Sequence, residues 1–115
     1  MNAITRVKEA IEEIKKGNMV IMLDDEDREN EGDLVYSAAL STPEHVNFMV
    51  THAKGLVCVS VSNETANRLE LNPMVSSNTS AYETAFTVSV DDALASTGIS
   101  AMERDNTIKI LANPI

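Results

Sequence analysis

Long apolar segments, cysteine pairs and basic residues are all scarce in this sequence of 115 residues. No segment approaches the ~20 consecutive apolar residues that a membrane-spanning helix needs, and the first 20 residues lack the basic start and apolar run of a signal peptide. The single cysteine, Cys58, excludes an internal disulfide and is typical of a reducing compartment. We therefore expect a cytoplasmic protein that does not enter a membrane.

Aromatic residues are also rare, at 3% of the chain with no Trp. This scarcity excludes an aromatic platform for stacking nucleic-acid bases. The formal net charge of −9 argues in the same direction, because proteins that bind phosphate backbones draw their affinity from Lys and Arg. Nucleic acid is therefore not an expected partner.

The apolar content of 43% predicts one folded domain, and its helices can be placed from the spacing of the apolar residues. A first helix ends at Gly17, and a second begins at Thr42-Pro43 and runs toward Gly55. Asn63 is placed to cap a short third helix. The last helix opens with the capping-box pattern of Ser100 and Glu103 and is expected to end at Pro114.

Short apolar runs predict four strands, at residues 19–23, 34–36, 56–61 and 84–90, with the first of them buried on both faces. The Ser- and Asn-rich segment 72–83 between the last two has no regular period and predicts a loop. Strands and helices alternate along the chain. This order indicates an α/β or α+β domain, with a mixed β-sheet and helices packed on it.

An acidic loop, DDEDRENEGD at residues 24–33, holds seven of the 18 acids and only one base, Arg28. Such crowding beside apolar strands costs stability unless a cation or an ordered hydrogen-bond network offsets the repulsion, and carboxylate oxygens suit Mg²⁺ or Mn²⁺. From composition alone, a solvated turn is as good an interpretation as a cation site. A calcium EF-hand loop is excluded, because its twelfth position, where a bidentate Glu is required, falls on Ala38.

The acidic loop and three later segments resemble the 3,4-dihydroxy-2-butanone 4-phosphate synthase family of riboflavin biosynthesis. The later segments are FMVTHAKGLVCVSV at 48–61, LNPMVSSNTSAYETAFTVSVD at 71–91 and STGISAMERDNTI at 96–108. The resemblance covers the chain from the first helix onward. It implies an Mg²⁺-dependent (or Mn²⁺-dependent) lyase that converts D-ribulose 5-phosphate to 3,4-dihydroxy-2-butanone 4-phosphate and formate, and that works as a homodimer.

The resemblance also implies roles for individual residues. Glu29 matches the metal ligand, while Arg28, Glu29 and Asp33 match substrate contacts. Asp24 and Glu31 match further acids implicated in catalysis, so the implied catalytic set is Asp24, Glu29, Glu31 and Asp33. Thr97 matches a threonine near the substrate.

Other residues carry weaker signals. Without the resemblance, Thr97 in its Ser-Thr-Gly context is better interpreted as an ordinary loop residue. Gly32 would let the backbone turn tightly, so that Glu31 and Asp33 can address one small ligand; the alternative is an ordinary turn glycine. Cys58 matches a family cysteine near the site, but its apolar neighbours predict an inert core residue, and we assign it no catalytic role. The two histidines lack the spacing of a metal pair and predict surface or capping roles.

The chain also departs from the family. Family members are about twice as long, and their second half carries a Gly-His-Thr-Glu segment with the histidine ligand and the phosphate site, which these 115 residues lack. The DDALASTGIS turn is a residue shorter than the family's and lacks its glycine. We therefore expect residues 1–115 to be the amino-terminal part of a single synthase domain. The alternative is a non-catalytic fragment that binds cations or a sugar phosphate.

Overall fold

The computed structural model describes residues 2–82 and 84–113. Within these ranges the chain forms four helices, one 3-10 turn (Ala38–Leu40) and one antiparallel two-stranded sheet. The helices are α1 (Ala3–Lys15), α2 (Pro43–His52), α3 (Asn63–Arg68) and α4 (Ala101–Ala112), and the strands are β1 (Val20–Leu23) and β2 (Gly32–Val35). The predicted α+β class is confirmed. No helix in the described ranges is long and apolar enough to cross a membrane.

The helix starts follow the predicted capping residues in two of three cases. The Thr42 hydroxyl accepts the N–H of His45 at 3.1 Å to open α2, and Ser100 accepts the N–H of Glu103 at 3.1 Å to open α4. Each bond satisfies a backbone donor that has no partner inside the helix. The predicted end of α4 at Pro114 lies outside the described residues.

The expected cap of α3 is wrong by one position. Ser62 is the N-cap, and its hydroxyl oxygen accepts the N–H of Thr65 at 3.1 Å, so Asn63 is the first residue of the helix. Both residue types are good caps, and the sequence does not separate two adjacent candidates.

Strands β1 and β2 form a hairpin in which Val20 faces Val35 and Leu23 faces Gly32. Gly32 therefore lies in β2 and not in a turn. A Cβ on Gly32 would lie 3.2 Å from Leu23 Cδ2 and 3.4 Å from Ile21 Cγ2, so the glycine makes room for the side chains of β1. The prediction that β1 is buried on both faces is wrong, since Ile21 and Leu23 are 71% and 70% exposed.

The strands predicted at residues 56–61 and 84–90 do not form as strands. Residues 56–61 make no ladder with another part of the described chain, and a strand exists only where a neighbour supplies the hydrogen bonds. Within 84–90 a single antiparallel bridge joins Thr87 to Pro73. An apolar run carries no local signal for its pairing partner, because the neighbouring strand can lie far along the chain.

The core lies between α2 and α4, where Val46 is fully buried and Ile108 is 6% exposed. His45 connects α2 to the end of α1: its Nε2 lies 2.8 Å from the carbonyl oxygen of Gly17, and its ring stacks on Tyr36 at 4.6 Å between centroids. The Tyr36 hydroxyl lies 2.9 Å from the buried Ser41 Oγ. This cluster fixes the end of the β-hairpin against α2, and with it the acidic loop at the other end of the hairpin.

Candidate functional site

Asp24 is the centre of the acidic loop. Its Oδ2 accepts hydrogen bonds from Arg28 Nη1 at 2.8 Å and from the Glu29 backbone N–H at 3.1 Å, and its Oδ1 accepts the Glu31 N–H at 2.9 Å. The Asp24 N–H in turn donates to the Glu31 carbonyl at 3.3 Å. One carboxylate therefore folds the loop back on itself, so that it closes between the ends of β1 and β2.

Two local devices shape the rest of the loop. Asp25 accepts the N–H of Asp27 on its side chain at 2.8 Å and the N–H of Arg28 on its carbonyl at 2.9 Å, which is an Asx-type turn. Asn30 has a φ of +51°, and asparagine tolerates this left-handed conformation better than most residues. The sharp turn predicted at Gly32 is therefore made by Asn30.

Arg28 bridges the loop and a distant segment of the chain. Its Nη1 also lies 2.6 Å from Glu29 Oε1, its Nη2 is 3.5 Å from the Thr84 hydroxyl, and its guanidinium lies 5.4 Å from the centroid of the Tyr82 ring. The contact with Tyr82 has the geometry of a cation–π interaction. Arg28 thus orients Glu29 while it is itself held from three sides.

The charges of this network reinforce each other. Hydrogen bonding by the Glu31 N–H and by Arg28 lowers the pKa of Asp24 below its ordinary value, and the bond to Asp24 raises the pKa of Arg28. Asp24 therefore stays ionised well below neutral pH. A carboxylate in this state is suited to hold donors in place and poorly suited to take up a proton at neutral pH.

Glu31 and Asp33, the other predicted site acids, are exposed, and their carboxylates accept none of the hydrogen bonds that shape the loop. Asp33 lies in β2 and lines a shallow cleft between the hairpin and α2, together with Phe48 and His52. The structure thus brings Asp24, Arg28, Glu29 and Glu31 into one network, with Asp33 on the adjoining strand.

The donors of the loop fit a hard cation in chemistry, because they are carboxylate oxygens. The contacts with Arg28 use only Oε1 of Glu29. In the ranges that the structure describes, no three Asp, Glu, His or Cys side chains converge on one point. Mg²⁺ often keeps several waters and is held by one or two carboxylates, so Glu29 as a single ligand from this chain agrees with that preference.

Thr97 is exposed in a loop before α4, and no hydrogen bond joins it to the acidic loop within the described ranges. The loop is held instead by Glu103, which accepts the N–H of Ser96 at 2.7 Å and of Gly98 at 3.2 Å. The contact of Thr97 with the substrate therefore stays a prediction.

Two other predictions can be compared with the structure. Cys58 is exposed, so its placement in the core is wrong: the segment around it lacks the neighbours that a sheet would provide. His45 connects three parts of the fold, a role that its position in the first turn of α2 did not reveal. Sequence reasoning also missed Tyr82 and Thr84, since their contact with Arg28 spans more than 50 residues and only their place in a family-like segment pointed to them.

The chain matches known proteins over most of its length. Residues 8–115 match the family model of 3,4-dihydroxy-2-butanone 4-phosphate synthase. The chain belongs to this family. A 3,4-dihydroxy-2-butanone 4-phosphate synthase of Sulfurospirillum multivorans is 67% identical over 111 residues, which are 96% of this chain and 31% of the relative. The synthase of Wolinella succinogenes is 68% identical over 106 residues, covering 92% of this chain and 30% of that protein.

The fold is also that of solved members of the synthase family. A crystal structure of 3,4-dihydroxy-2-butanone 4-phosphate synthase in complex with two magnesium ions superposes with a TM-score of 0.88 at 41% identity. The match covers 94% of this chain and 51% of that one. The chain therefore spans about half of the solved synthase and about a third of the two relatives.

Proposed function

We propose that residues 1–115 are the amino-terminal part of a synthase domain that converts D-ribulose 5-phosphate to 3,4-dihydroxy-2-butanone 4-phosphate and formate. Family membership supports the reaction, and the network that Asp24 organises around Arg28 and Glu29 supports the location of the site. As parts of the same proposal, the lyase acts as a homodimer in the cytoplasm, where the exposed thiol of Cys58 stays reduced.

Each part of the network suits one requirement of the reaction. The reaction needs a group that removes a proton from carbon next to a carbonyl, and positive charge where the resulting enediolate becomes negative. Glu31 and Asp33 are the candidates for the base, because their carboxylates accept none of the loop-shaping hydrogen bonds. Arg28 supplies a fixed positive charge beside Glu29. Asp24 supports both roles by holding the backbone of Glu29 and Glu31 in place.

Mg²⁺ or Mn²⁺ would be held at Glu29 and, when bound, would supply further positive charge beside the substrate oxygens. The remaining ligands lie outside the set that the described residues bring together. A second candidate function, in which these residues only bind a cation or a sugar phosphate, is supported by the seven carboxylates of the acidic loop.

Formate release from ribulose 5-phosphate with Mg²⁺, by the full-length protein that contains these residues, tests the proposal. We expect turnover by the wild type and its loss in Glu29→Gln, which keeps the size of the side chain but removes its charge. Glu26→Gln is the matched control, because Glu26 is an exposed acid of the same loop that makes no hydrogen bond to Arg28. Absence of turnover in the full-length wild type would refute the proposal.

Isothermal titration separates the second candidate from the first. Binding of Mg²⁺ and ribulose 5-phosphate without formate release by the full-length protein would favour a non-catalytic module. If neither ligand binds and Glu29→Gln behaves as the wild type, the acidic loop is a solvated turn.

A further inference from the structure

The carboxylate of Glu103 accepts hydrogen bonds from the backbone of the loop that carries Thr97. Glu103 Oε2 accepts the N–H of Ser96 at 2.7 Å, and Oε1 accepts the N–H of Gly98 at 3.2 Å. The Ser96 hydroxyl lies 3.2 and 3.3 Å from the two oxygens. The N–H of Thr97, between these residues, also contributes to lowering the pKa of Glu103, after the larger effect of the Ser96 N–H. Two backbone donors and the hydroxyl of Ser96 therefore converge on one carboxylate.

This use of Glu103 differs from the one that the sequence pattern predicts. In a capping box the Glu side chain turns back to the N–H of the capping residue, here Ser100. The hydroxyl of Ser100 does cap α4, but the Glu103 carboxylate reaches past it to residues 96 and 98. The hydrogen bonds of the Glu103 carboxylate are charge-assisted, and they stabilise the loop instead of the end of the helix.

Two more side chains of α4 hold the same loop. Arg104 Nε donates to the Ile99 carbonyl at 2.9 Å, and the Thr107 hydroxyl oxygen accepts the N–H of Asp92 at 3.0 Å. Gly98, with a φ of +78°, packs so closely on Asp91 that an added Cβ would collide with the Asp91 side chain. The loop is thus shaped by α4 and not by regular structure of its own.

Thr97 lies between Ser96 and Gly98, the two residues whose N–H groups donate to Glu103. It is exposed, and its hydroxyl takes part in none of the bonds to α4. We propose that Glu103 is a positioning residue for Thr97: by fixing the backbone of residues 96–98, it fixes the direction in which the Thr97 hydroxyl meets the substrate. This role rests on the proposed function, in which Thr97 contacts ribulose 5-phosphate.

Steady-state kinetics of the full-length protein test the role through a double-mutant cycle. In Glu103→Gln one carboxylate oxygen becomes an NH₂ group that faces backbone donors, and in Glu103→Ala both acceptors are lost. We expect kcat/KM to fall about 10-fold in the Gln variant and about 100-fold in the Ala variant, mainly because KM rises. Losses of this size correspond to one and two charge-assisted hydrogen bonds. In a Thr97→Ala background either substitution should lower kcat/KM less than about 2-fold, because the effects of substituting residues that act through one another do not add.

The matched control is Glu64→Gln, since Glu64 also lies in the first turn of a helix and, within the described ranges, its side chain accepts no hydrogen bond from a preceding loop. Full additivity of the Glu103 and Thr97 effects, or an unchanged KM in Glu103→Ala, would overturn the role. Hydrogen exchange of the 96–98 amides gives a readout independent of turnover: exchange should accelerate at least 10-fold in Glu103→Gln, and unchanged exchange would refute the positioning. A wild type without turnover would refute the proposed function. The exchange rates would still show whether Glu103 holds the backbone of residues 96–98.

Discussion

Replacing Asp24 by Asn keeps the shape of the side chain but halves its acceptors at the point where three donors of the acidic loop meet. If the amide oxygen takes the place of Oδ2, the bonds from Arg28 and Glu29 remain and the bond from Glu31 is lost. In the opposite orientation two bonds are lost. In both, an NH₂ group faces a backbone N–H, so the loop cannot keep its present conformation.

The expected effect on activity follows from the position of the residues that Asp24 holds. Its donors belong to Arg28, Glu29 and Glu31, which carry the proposed substrate, metal and proton-transfer roles. A displacement of about 1 Å in such groups costs about 100-fold in rate, and we expect kcat/KM of Asp24→Asn to fall by about that factor. Asp24→Ala, which removes all three bonds, should be lower still.

Formate release from ribulose 5-phosphate by the full-length protein is the assay. Asp27→Asn is the control, because it removes one negative charge from the same loop while the Asp27 side chain accepts none of the loop's hydrogen bonds. Equal losses in Asp24→Asn and Asp27→Asn would mean that charge, and not the hydrogen-bond network, matters. Full activity of Asp24→Asn would refute the reasoning altogether.

Further predictions concern stability, measured by urea unfolding. Gly98→Ala should destabilise the fold by about 2–4 kcal/mol, because it adds a collision with Asp91 to the strain at φ +78°; Gly55→Ala, at φ +68° with no atom within 4 Å of the new Cβ, should show only the strain of about 1–2 kcal/mol. Val46→Ala should cost about 2–3 kcal/mol from two lost methyl groups and the cavity, and the same change at the partly exposed Val50 clearly less. The pKa of Glu103 is lowered by the Ser96 and Gly98 N–H groups, so its contribution to stability is present above the ordinary Glu pKa of about 4.3 and is lost as pH falls through the lower folded value. The difference in unfolding free energy between wild type and Glu103→Gln should therefore shrink below about pH 4, and a constant difference from pH 7 to pH 3 would contradict it.

The features that the sequence predicted well are those with local causes. The helix caps at Thr42 and Ser100 and the helix end at Gly17 depend on a few neighbouring residues, and each was placed correctly. The strand pairing of residues 56–61 and the burial of Cys58 were wrong, because they depend on partners far along the chain.

The candidate site shows the same division. The crowding of acids at residues 24–33 fitted a cation site and a solvated turn equally well, and the family resemblance implied the site. The structure brings Asp24, Arg28, Glu29 and Glu31 into contact. That Asp24 folds the loop, and that Tyr82 lies over Arg28, could not be predicted, since neither a choice among seven acids nor a contact across 54 residues leaves a local pattern.

The short sequence separation of the Asp24 bonds has a consequence for the order in which the protein folds. They join residues at most seven positions apart, so closing this part of the chain costs little entropy. The bonds from Ser96 and Gly98 to Glu103, which hold the Thr97 loop, are equally local, since they span seven and five positions. We expect both loops to take shape early in folding and the contact of Arg28 with Tyr82, across 54 residues, to form late, so that incomplete folding would leave a shaped acidic loop whose Arg28 is not yet held from the distant segment.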